Sequence, residues 1–295
     1  MSRKIAYVIN PKSGGNRKTD RAALIRSLLP AAQESTIFEW KKVGDRDAIF
    51  DSVRRGGFDV AMAVGGDGTV SQLAHALCGT SIALGIVPFG SGNGLARHLG
   101  IPLKTAEAMQ LTETGIIAGI DRGIINGRSF FCTAGLGFDA RIGKLFAESA
   151  KRGFSTYAKM TLKELRNYKG ETYTITLDGK TIEREAFLVT AANAGQYGNN
   201  AWIAPEAKVN DGLLHLSILR PFRWWNIPGI ASKMFNKTIT RSAFLESHTA
   251  KNILIRRSAG GAAHYDGEPD VMSDTVQISI EPNALKVLVP AEFRG

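Results

Sequence analysis

A glycine-rich turn with a single carboxylate is the segment of this sequence best suited to phosphate chemistry. It reads Val64-Gly65-Gly66-Asp67-Gly68-Thr69 and stands between a predicted buried strand and a predicted helix. Three glycines within four residues let the backbone turn sharply and approach a ligand without obstruction by Cβ atoms. The start of a helix also presents free N–H groups and a positive dipole end, which suit a phosphate. The Asp67 carboxylate fits such a turn if Mg²⁺ lies between protein and phosphate.

The same turn has a structural alternative, in which the glycines only shape the backbone and Asp67 caps the helix. It matches neither the dinucleotide pattern GxGxxG nor the P-loop pattern GxxxxGK[ST]. Two similar turns favour ligand binding: PFGSGNGLAR at 88–97 again joins an apolar strand to a helix, and NPKSGG at 10–15 follows the first predicted strand. Turns that follow parallel strands meet at the carboxyl edge of the sheet, where open α/β folds bind ligands. The three turns together predict a nucleotide cleft.

The elements that position these turns alternate between strand and helix over the first 125 residues or so. Apolar runs at 5–9, 36–40, 60–64 and 83–88 are typical of strands, and segments at 47–53, 70–78, 94–99 and 103–112 are predicted to be helical. Asp20 is a candidate cap of a further helix, in which Leu24, Ile25 and Leu28 share one face. This alternation predicts a Rossmann-like α/β domain with a parallel sheet over residues 1–125. Residues 126–283 are dense in strand and turn signals, which predicts a β-rich antiparallel sandwich, interrupted by helices near 142–168 and 228–240. A last strand within about 284–295 could return to the first domain.

Composition narrows the class of protein. Among the 295 residues, 44% are hydrophobic and 22% charged, which excludes wholesale disorder and fibrous structure. No apolar run reaches the roughly 20 residues of a membrane span, and no signal peptide is recognised. The only two cysteines, Cys78 and Cys132, cannot form a disulfide framework. A cytoplasmic protein is therefore expected. The 37 basic and 27 acidic residues leave a net charge of +10, which favours an anionic partner.

Taken together, the motifs resemble the diacylglycerol kinase catalytic-domain family of lipid kinases, which includes bacterial lipid kinases and sphingosine kinases. The hallmark GGDGT stands at 65–69. The other matching segments are NP-SG at 10–14, the glycine-rich loop at 88–97, GLGFDA at 135–140, AP at 204–205, NDGLL at 210–214 and YDGE at 265–268. GGDGT alone is shared with NAD kinases, but GGDGT, NDGLL and DGE in this order are far more specific to the lipid kinases.

The resemblance implies a two-domain kinase that uses ATP and Mg²⁺, in which the α/β domain holds ATP and the β-rich domain contributes DGE to the cleft. The nucleotide-contacting positions implied by it are Asn10, Ser13, Gly14, Gly65, Gly66, Asp67, Gly68, Thr69, Gly90, Ser91 and Asn93. Asp67 would lie near the catalytic Mg²⁺, and Glu268 would be the general base for the lipid hydroxyl. Lys208, Asp211 and Leu213 match positions that bind a structural Mg²⁺ in bacterial members.

Glu268 also has a structural alternative, because Asp-Gly pairs are typical of hairpin turns. General chemistry supports its catalytic interpretation: phosphoryl transfer needs a residue that accepts the hydroxyl proton, and a glutamate carboxylate is ionised at pH 7. The sequence departs from the family at two places. Many bacterial glycerolipid kinases have Asn-Asp where this chain has Asn93-Gly94, and Trp40-Lys41-Lys42 occupies the stretch where the family often has a threonine.

The expected reaction is phosphorylation of a hydroxyl of diacylglycerol or of a sphingoid-type lipid, with reversible attachment to an anionic membrane surface. An NAD kinase-like enzyme and a catalytically silent lipid-binding or regulatory protein are the alternatives. The five histidines show no zinc-binding spacing, and only His264 stands near the proposed chemistry. The oligomeric state is left open, a homodimer included.

The segment Arg220–Trp225 mixes cations with large aromatic residues, as membrane-surface and nucleic-acid sites both do. No nucleic-acid motif accompanies it, so a nucleic-acid partner is not expected. If the segment docks on a membrane, Ile230, Met234 and Phe235 of the next helix could form an apolar face beside it. The alternative is a tryptophan pair buried in the domain core.

Overall fold

The computed structural model describes residues 3–11, 20–42, 44–148, 161, 164–165 and 168–295 of the chain. The chain divides into two compact units. The first unit comprises Met1–Ile120 and Asn283–Gly295, and the second comprises Asp121–Pro282. The predicted nucleotide residues Ser13 and Gly14 lie outside the described residues.

Parallel strands form the centre of the first unit. They are β1 (Ile5–Ile9), β2 (Ser35–Glu39), β3 (Val60–Gly65) and β4 (Ala83–Pro88), in the spatial order β2-β1-β3-β4. The end of strand β16 (Thr275–Val289) pairs in parallel with β4, where Val287 lies opposite Leu84. Every residue of β1, β3 and β4 is buried, which accounts for their uninterrupted apolar character.

The helices of the first unit are α1 (Arg21–Leu28), α2 (Asp45–Arg55), α3 (Asp67–Leu77), α4 (Gly94–His98) and α5 (Thr105–Thr114). The predicted cap of α1 is confirmed, because the Asp20 carboxylate accepts the N–H of Ala23 at 3.0 Å. Helix α3 begins three residues before its predicted start. Its N-cap is Gly66, in extended conformation, whose carbonyl accepts the N–H groups of Thr69 and Val70. The Asp-Gly-Thr of the motif therefore forms the first turn of the helix.

Two antiparallel sheets make up the second unit. One contains β8 (Glu171–Leu177), β9 (Lys180–Ala186), β13 (Asn252–Arg256) and the first half of β16, in the order β16-β13-β8-β9. Strand β5 (Ile116–Ile125) pairs with β6 (Arg128–Phe130) in antiparallel orientation. The other contains β7 (Thr133–Gly137), β10 (Leu188–Ala192), β11 (Leu214–Leu219), β12 (Leu245–Ala250), β14 (Gly261–Tyr265) and β15 (Glu268–Met272), in the order β12-β11-β10-β7-β14-β15. The predicted antiparallel sandwich is confirmed.

The second unit has hydrophobic clusters on both faces of its six-stranded sheet. Within the sandwich, Val189 and Ala191 of β10 pack with Tyr173 and Ile175 of the opposing sheet. On the outer face, Leu188 belongs to a second cluster together with helix residues. The helices concerned are α6 (Phe138–Glu148) and α7 (Ile227–Phe235), accompanied by 3₁₀ turns at Trp224–Asn226 and Ile239–Arg241. The period-two alternation of the strand thus separates the two clusters.

Further sequence-based boundaries differ from the structure. The last strand predicted within about 284–295 is the end of β16, which begins at Thr275 in the second unit and continues into the first. The helix predicted near 142–168 begins earlier, at Phe138, and part of its predicted range lies outside the described residues. In the part of the chain that the structure describes, no helix is both long and apolar enough to cross a membrane.

Candidate active site

The predicted turns follow three neighbouring strands, and hydrogen bonds join Asn10, at the start of the first turn, to the second turn and the second turn to the third. Residues 12–15 of the first turn lie outside the described residues. The N–H of Asn10, after β1, donates to the carbonyl of Val64 at 3.2 Å, and its side-chain amide donates to Thr69 Oγ1 at 3.1 Å. The N–H of Phe89, after β4, donates to the carbonyl of Gly65 at 2.7 Å. The structure thus brings the predicted turns together at the carboxyl edge of the parallel sheet.

Close backbone contact between two of these turns requires glycine on both sides. A Cβ atom on Gly66 would lie 3.2 Å from the Cα of Gly90, and a Cβ atom on Gly90 would lie 2.9 Å from the Cα of Gly66. A Cβ atom on Gly65 would also meet Thr69 Oγ1 at 2.6 Å. At 2.9 Å from backbone, the Cβ atom on Gly90 would force a shift, and at 3.2 Å the one on Gly66 would push the facing loop by a few tenths of an ångström. The observed contact between the loops therefore favours glycine at both positions, whether or not a ligand is bound.

The Asp67 carboxylate fastens the third turn to the start of α3. Its Oδ2 accepts the N–H of Asn93 at 2.9 Å, and its Oδ1 accepts the N–H of Gly94 at 2.7 Å. Asn93 adopts a left-handed conformation with φ of 51°. Its own side-chain amide closes the loop by accepting the N–H of Gly90 at 2.9 Å and donating to the Gly90 carbonyl at 2.8 Å. Asp67 is thus a cap, but of the neighbouring helix α4 rather than of its own helix.

A buried cation that the sequence analysis did not single out lies between two of the turns. Arg21, the first residue of α1, is 4% exposed. Its guanidinium donates to the Asn10 carbonyl and lies 4.9 Å from the ring centroid of Phe89. Burial lowers the pKa of Arg21 from its ordinary value. Only the fold reveals this residue, since Arg21 stands outside every motif. By contrast, the predicted contact residue Ser91 is exposed at the tip of its loop.

In the second unit, the DGE segment forms a two-residue hairpin turn between β14 and β15. Asp266 and Gly267 have φ values of 48° and 81°, so the structural alternative is correct for the backbone. The Asp266 carboxylate accepts three consecutive N–H groups of residues 131–133, at 2.9, 2.7 and 3.3 Å. Glu268 then begins β15 with an exposed side chain. Among the described residues, none forms a hydrogen bond or ion pair with its carboxylate. Asp266 therefore fixes the turn, and the carboxylate of Glu268 beside it is open to solvent.

A buried polar network lies one step along β14 from this turn. Thr190, Gly135 and His264 are direct cross-strand neighbours on β10, β7 and β14. Asp139, in the first turn of α6, places its carboxylate over them. Its Oδ2 accepts the hydroxyls of Thr190 at 2.8 Å and Tyr197 at 3.0 Å, and lies 3.0 Å from His264 Nε2. A Cβ atom on Gly135 would lie 3.0 Å from the same oxygen. Gly135 therefore makes the room that Asp139 occupies.

This network explains the GLGFDA motif and gives His264 a partner. Burial raises the pKa of the Asp139 carboxyl, but the charge of His264 and the hydrogen bonds from His264, Thr190 and Tyr197 outweigh it, so the pKa lies below its ordinary value. The side chains of His264 and Asp139 are only 6% and 11% exposed. The sequence analysis noted His264 but missed the pairing, because Asp139 precedes it by 125 residues.

The loop at 208–213, predicted to bind a structural Mg²⁺, is held by a second buried carboxylate. Asp121 is 2% exposed, and its Oδ2 accepts the N–H of Gly212 at 2.7 Å. Asp211 is exposed, and its Oδ1 accepts the N–H of Leu213 at 3.0 Å. The described residues contain no group of three or more acidic, histidine or cysteine side chains able to hold a metal. One carboxylate with carbonyl oxygens and water is nevertheless a donor set that Mg²⁺ accepts.

Two family models match the chain. The model of the diacylglycerol kinase catalytic domain matches residues 4–125. The model described as the YegS C-terminal NAD kinase beta sandwich-like domain matches residues 132–289, more than half of the chain. Both matches agree with the resemblance that the motifs indicated.

Individual relatives cover almost the whole chain. "Probable lipid kinase YegS-like" from Pseudomonas aeruginosa (strain UCBPP-PA14) is 28% identical over 292 residues, which are 98% of this chain and 95% of the relative. A diacylglycerol kinase from Bacillus anthracis str. Sterne has a TM-score of 0.78 at 23% identity, over 99% of this chain and 98% of that one. An NAD kinase from Archaeoglobus fulgidus in complex with ATP has a TM-score of 0.55 at 12% identity, over 98% and 94%. These structural matches confirm the predicted fold class.

Replacing Asp67 by asparagine is expected to loosen the loop that the carboxylate fastens. The amide has one acceptor oxygen instead of two, so the N–H of Asn93 or of Gly94 loses its partner, at a cost of about 1–3 kcal/mol. We expect a lower melting temperature together with weaker binding of Mg·ATP. Glu113→Gln, at an exposed position of α5, is the control. Unchanged melting of the Asp67 variant would contradict a structural role for this carboxylate.

Replacing Asp139 by asparagine is expected to lower the free energy of unfolding at pH 7 by about 1–3 kcal/mol, because it removes the charged acceptor that Thr190, Tyr197 and His264 share in a buried site. The folded-state pKa of Asp139 is depressed, so its stabilisation is present above the unfolded pKa of about 3.9 and is lost as pH falls toward the folded value. The contribution of this carboxylate to stability should therefore shrink below about pH 4. Denaturant unfolding across pH measures it, with exposed Asp274→Asn as control. Equal stability at pH 7 would contradict a structural role for the Asp139 carboxylate.

Proposed function

The chain belongs to the diacylglycerol kinase catalytic-domain family of lipid kinases, and from that membership we propose that it transfers the γ-phosphate of ATP, with Mg²⁺, to a hydroxyl of diacylglycerol or of a sphingoid-type lipid. The observation that carries the ATP part of the proposal is the joining of Asn10 and two glycine-rich turns at the carboxyl edge of the parallel sheet. Open α/β folds bind nucleotides at this edge.

The backbone of the GGDG segment is the proposed phosphate-binding element. The Gly66 carbonyl accepts the N–H groups of Thr69 and Val70, so the N–H groups that precede Thr69 in this turn are the ones proposed to donate to phosphate oxygens. The absence of Cβ atoms at Gly65, Gly66 and Gly68 lets a phosphate approach this backbone closely. Asn10 and Thr69 on one side, and Gly90, Ser91 and Asn93 on the other, are the remaining proposed nucleotide contacts.

Asp67 has two parts in this proposal. Its hydrogen bonds to the Asn93 and Gly94 N–H groups keep the third loop in place. The remaining lone pairs of its oxygens carry negative charge next to the proposed phosphate site, which suits a Mg²⁺ counterion. When bound, Mg²⁺ would neutralise phosphate charge that develops during transfer.

Glu268 is the proposed general base. An exposed carboxylate without a bound donor is free to accept a proton, whereas the carboxylates of Asp266, Asp139 and Asp121 are occupied by N–H or O–H donors. In the proposed step, the lipid hydroxyl oxygen bonds to the γ-phosphorus and the bond from that phosphorus to the β–γ bridging oxygen breaks. The hydroxyl proton passes to Glu268, and ADP leaves.

Lys208, Asp211 and Leu213 are proposed to hold a structural Mg²⁺, Asp211 through its carboxylate and the other two through carbonyl oxygens. The bond from Gly212 to buried Asp121 gives the loop a fixed attachment beside these donors. Such an ion would stabilise the loop and take no part in phosphoryl transfer.

The decisive experiment incubates the protein with labelled ATP, Mg²⁺ and, separately, diacylglycerol, monoacylglycerol, sphingosine, ceramide and NAD, followed by identification of the product. We expect label in one of the lipids. Label in NAD alone would favour an NAD kinase-like enzyme, which shares the fold. No product with any acceptor would contradict the proposed reaction and favour a lipid-binding role.

Glu268→Gln is expected to lower kcat by about 10²–10⁴-fold with little change in ATP affinity, because the amide cannot accept a proton. Steady-state kinetics and nucleotide titration measure the two effects. Glu183→Gln, an exposed glutamate on β9, controls for loss of surface charge. Turnover within a few fold of wild type would remove Glu268 from the mechanism.

Asp211→Ala is expected to lower the melting temperature in Mg²⁺ to the value that wild type shows in excess EDTA, and to abolish the response to added Mg²⁺. Exposed Glu206→Ala in the same segment should keep the full response. If wild type melts at the same temperature with Mg²⁺ and with EDTA, the loop is a plain turn.

A further inference from the structure

The second unit carries an exposed aromatic pair beside a helix with an uncharged outer face. Trp224 and Trp225 are 70% and 53% exposed and pack edge to face with ring centroids 5.8 Å apart. Phe235, at the other end of α7, is 48% exposed. The alternative that the tryptophans are buried in the domain core is therefore wrong. Exposed large aromatic groups in a cluster are uncommon on a water-facing surface and indicate a binding surface.

Packing explains which face of α7 is left outside. Ile230 is 7% exposed and packs, with Met234 against it, in the cluster on the outer face of the six-stranded sheet. These two residues do not form the outward apolar face expected from the sequence. The exposed positions on α7 recur at helical spacing and carry no charge; they are Pro228, Gly229, Ser232 and Phe235. Small side chains between Trp225 and Phe235 leave this outer face flat.

Positive charge surrounds this face. From residue 220 to residue 245 the sequence contains five basic residues, Arg220, Arg223, Lys233, Lys237 and Arg241, and no acidic residue. The guanidinium of Arg223 lies 5.0 Å from the ring centroid of Trp225, and the ammonium of Lys237 lies 4.0 Å from that of Trp202. We call Arg220–Arg241, with its exposed aromatic groups and cations, the basic-aromatic face.

A cavity of about 340 Å³ adjoins the face. Tyr168, Phe187, Phe222 and Trp224 contribute to its wall. Phe187 packs against Phe222 with ring centroids 4.7 Å apart, so the aromatic wall continues into the cluster beneath the helices. The indole of Trp224 and the packed aromatic groups of the outer cluster therefore line the same cavity.

We propose that the basic-aromatic face docks this protein on the surface of an anionic lipid bilayer. Indoles favour the region between headgroups and acyl chains, and basic side chains beside them are attracted by anionic headgroups. An uncharged outer helix face between the aromatic residues can enter the headgroup region without desolvating charge. This inference rests on the proposed lipid substrate and names the surface through which the enzyme would reach it.

The test measures co-sedimentation with vesicles of phosphatidylcholine, and of phosphatidylcholine mixed with phosphatidylglycerol. We expect binding to the mixed vesicles only, weakened as salt is raised. Trp224→Ala combined with Trp225→Ala should weaken it at least tenfold. The matched control is Ile116→Ala with Ile117→Ala, an adjacent pair in the first unit that is 42% and 44% exposed, and it should bind as wild type does. Unchanged binding by the tryptophan variant would overturn the proposal.

A second pair of variants addresses charge and does not depend on the tryptophan variant folding. Lys237→Glu with Arg241→Glu should weaken binding more than tenfold and reduce its salt dependence, whereas Lys180→Glu with Lys286→Glu, at exposed positions elsewhere, should have a far smaller effect. Thermal melting of every variant accompanies the binding measurement. Equal losses in both charge pairs would show attraction by net charge alone and would overturn a specific face.

Activity assays separate the failure of docking from the failure of the proposed reaction. With a short-chain diacylglycerol below its critical micelle concentration, the docking variants should turn over as wild type does, and with vesicle-borne substrate they should lose activity. If wild type phosphorylates no lipid in either form, the proposed reaction fails, while the vesicle measurements still decide docking. Binding of single-stranded RNA by this face in place of vesicles would overturn the proposal.

Discussion

The contact between Gly66 and Gly90 is the constraint on which the glycine-rich loops of the first unit depend. A Cβ atom on Gly90 would lie 2.9 Å from the Cα of Gly66, and one on Gly66 would lie 3.2 Å from the Cα of Gly90, so a side chain at either position would push the loops apart. Because the loops touch at this point, Asp67 can reach the N–H groups of Asn93 and Gly94. The first turn of α3 and the start of α4 are thereby fixed relative to each other. A phosphate site made of backbone N–H groups needs this rigidity, since backbone donors cannot adjust by rotating a side chain.

In the second unit, too, a glycine leaves space at which a carboxylate binds donors from neighbouring elements. Gly135 leaves a space in the outer face of a sheet, and the Asp139 carboxylate fills it. Thr190 and His264 flank the space on the two adjacent strands. A carboxylate that gathers donors from three elements holds them together more strongly than neutral groups would, because charge-assisted hydrogen bonds are stronger. The hairpin that presents Glu268 follows directly from β14, one of the strands so held.

The carboxylates of the motifs therefore separate into two kinds. Asp67, Asp121, Asp139 and Asp266 each accept N–H or O–H donors from distant segments and hold the fold together. Glu268 is exposed and, among the described residues, has no hydrogen-bonding or ion-pairing partner. The aspartates and glycines of these motifs thus mainly fix the backbone. The proposed reactive group is Glu268, whose carboxylate accepts no such donor from the part of the chain that the structure describes. This distinction supports Glu268 over the aspartates as the proton acceptor.

The sequence by itself determined the elements whose signal is local. Apolar runs located β1, β3 and β4, and Asp20 marked the start of α1, because strand burial and helix capping involve residues a few positions apart. Strands β5 and β7 escaped notice, since glycines and the buried Asp121 interrupt their apolar pattern. Motif order indicated the family, which the family models then confirmed.

Only the tertiary structure decided the partners of those motifs. Asp67 reaches Asn93 across 26 positions, and His264 reaches Asp139 across 125. Such pairings depend on strand order and register, which no local period encodes. The same holds for α7: its composition allowed Ile230, Met234 and Phe235 to share a face. Packing against the sheet buried the first, drew the second against the core and left Phe235 outside with Trp224 and Trp225. Whether a side chain is buried depends on the element that packs against it, so burial is decided only in the tertiary structure.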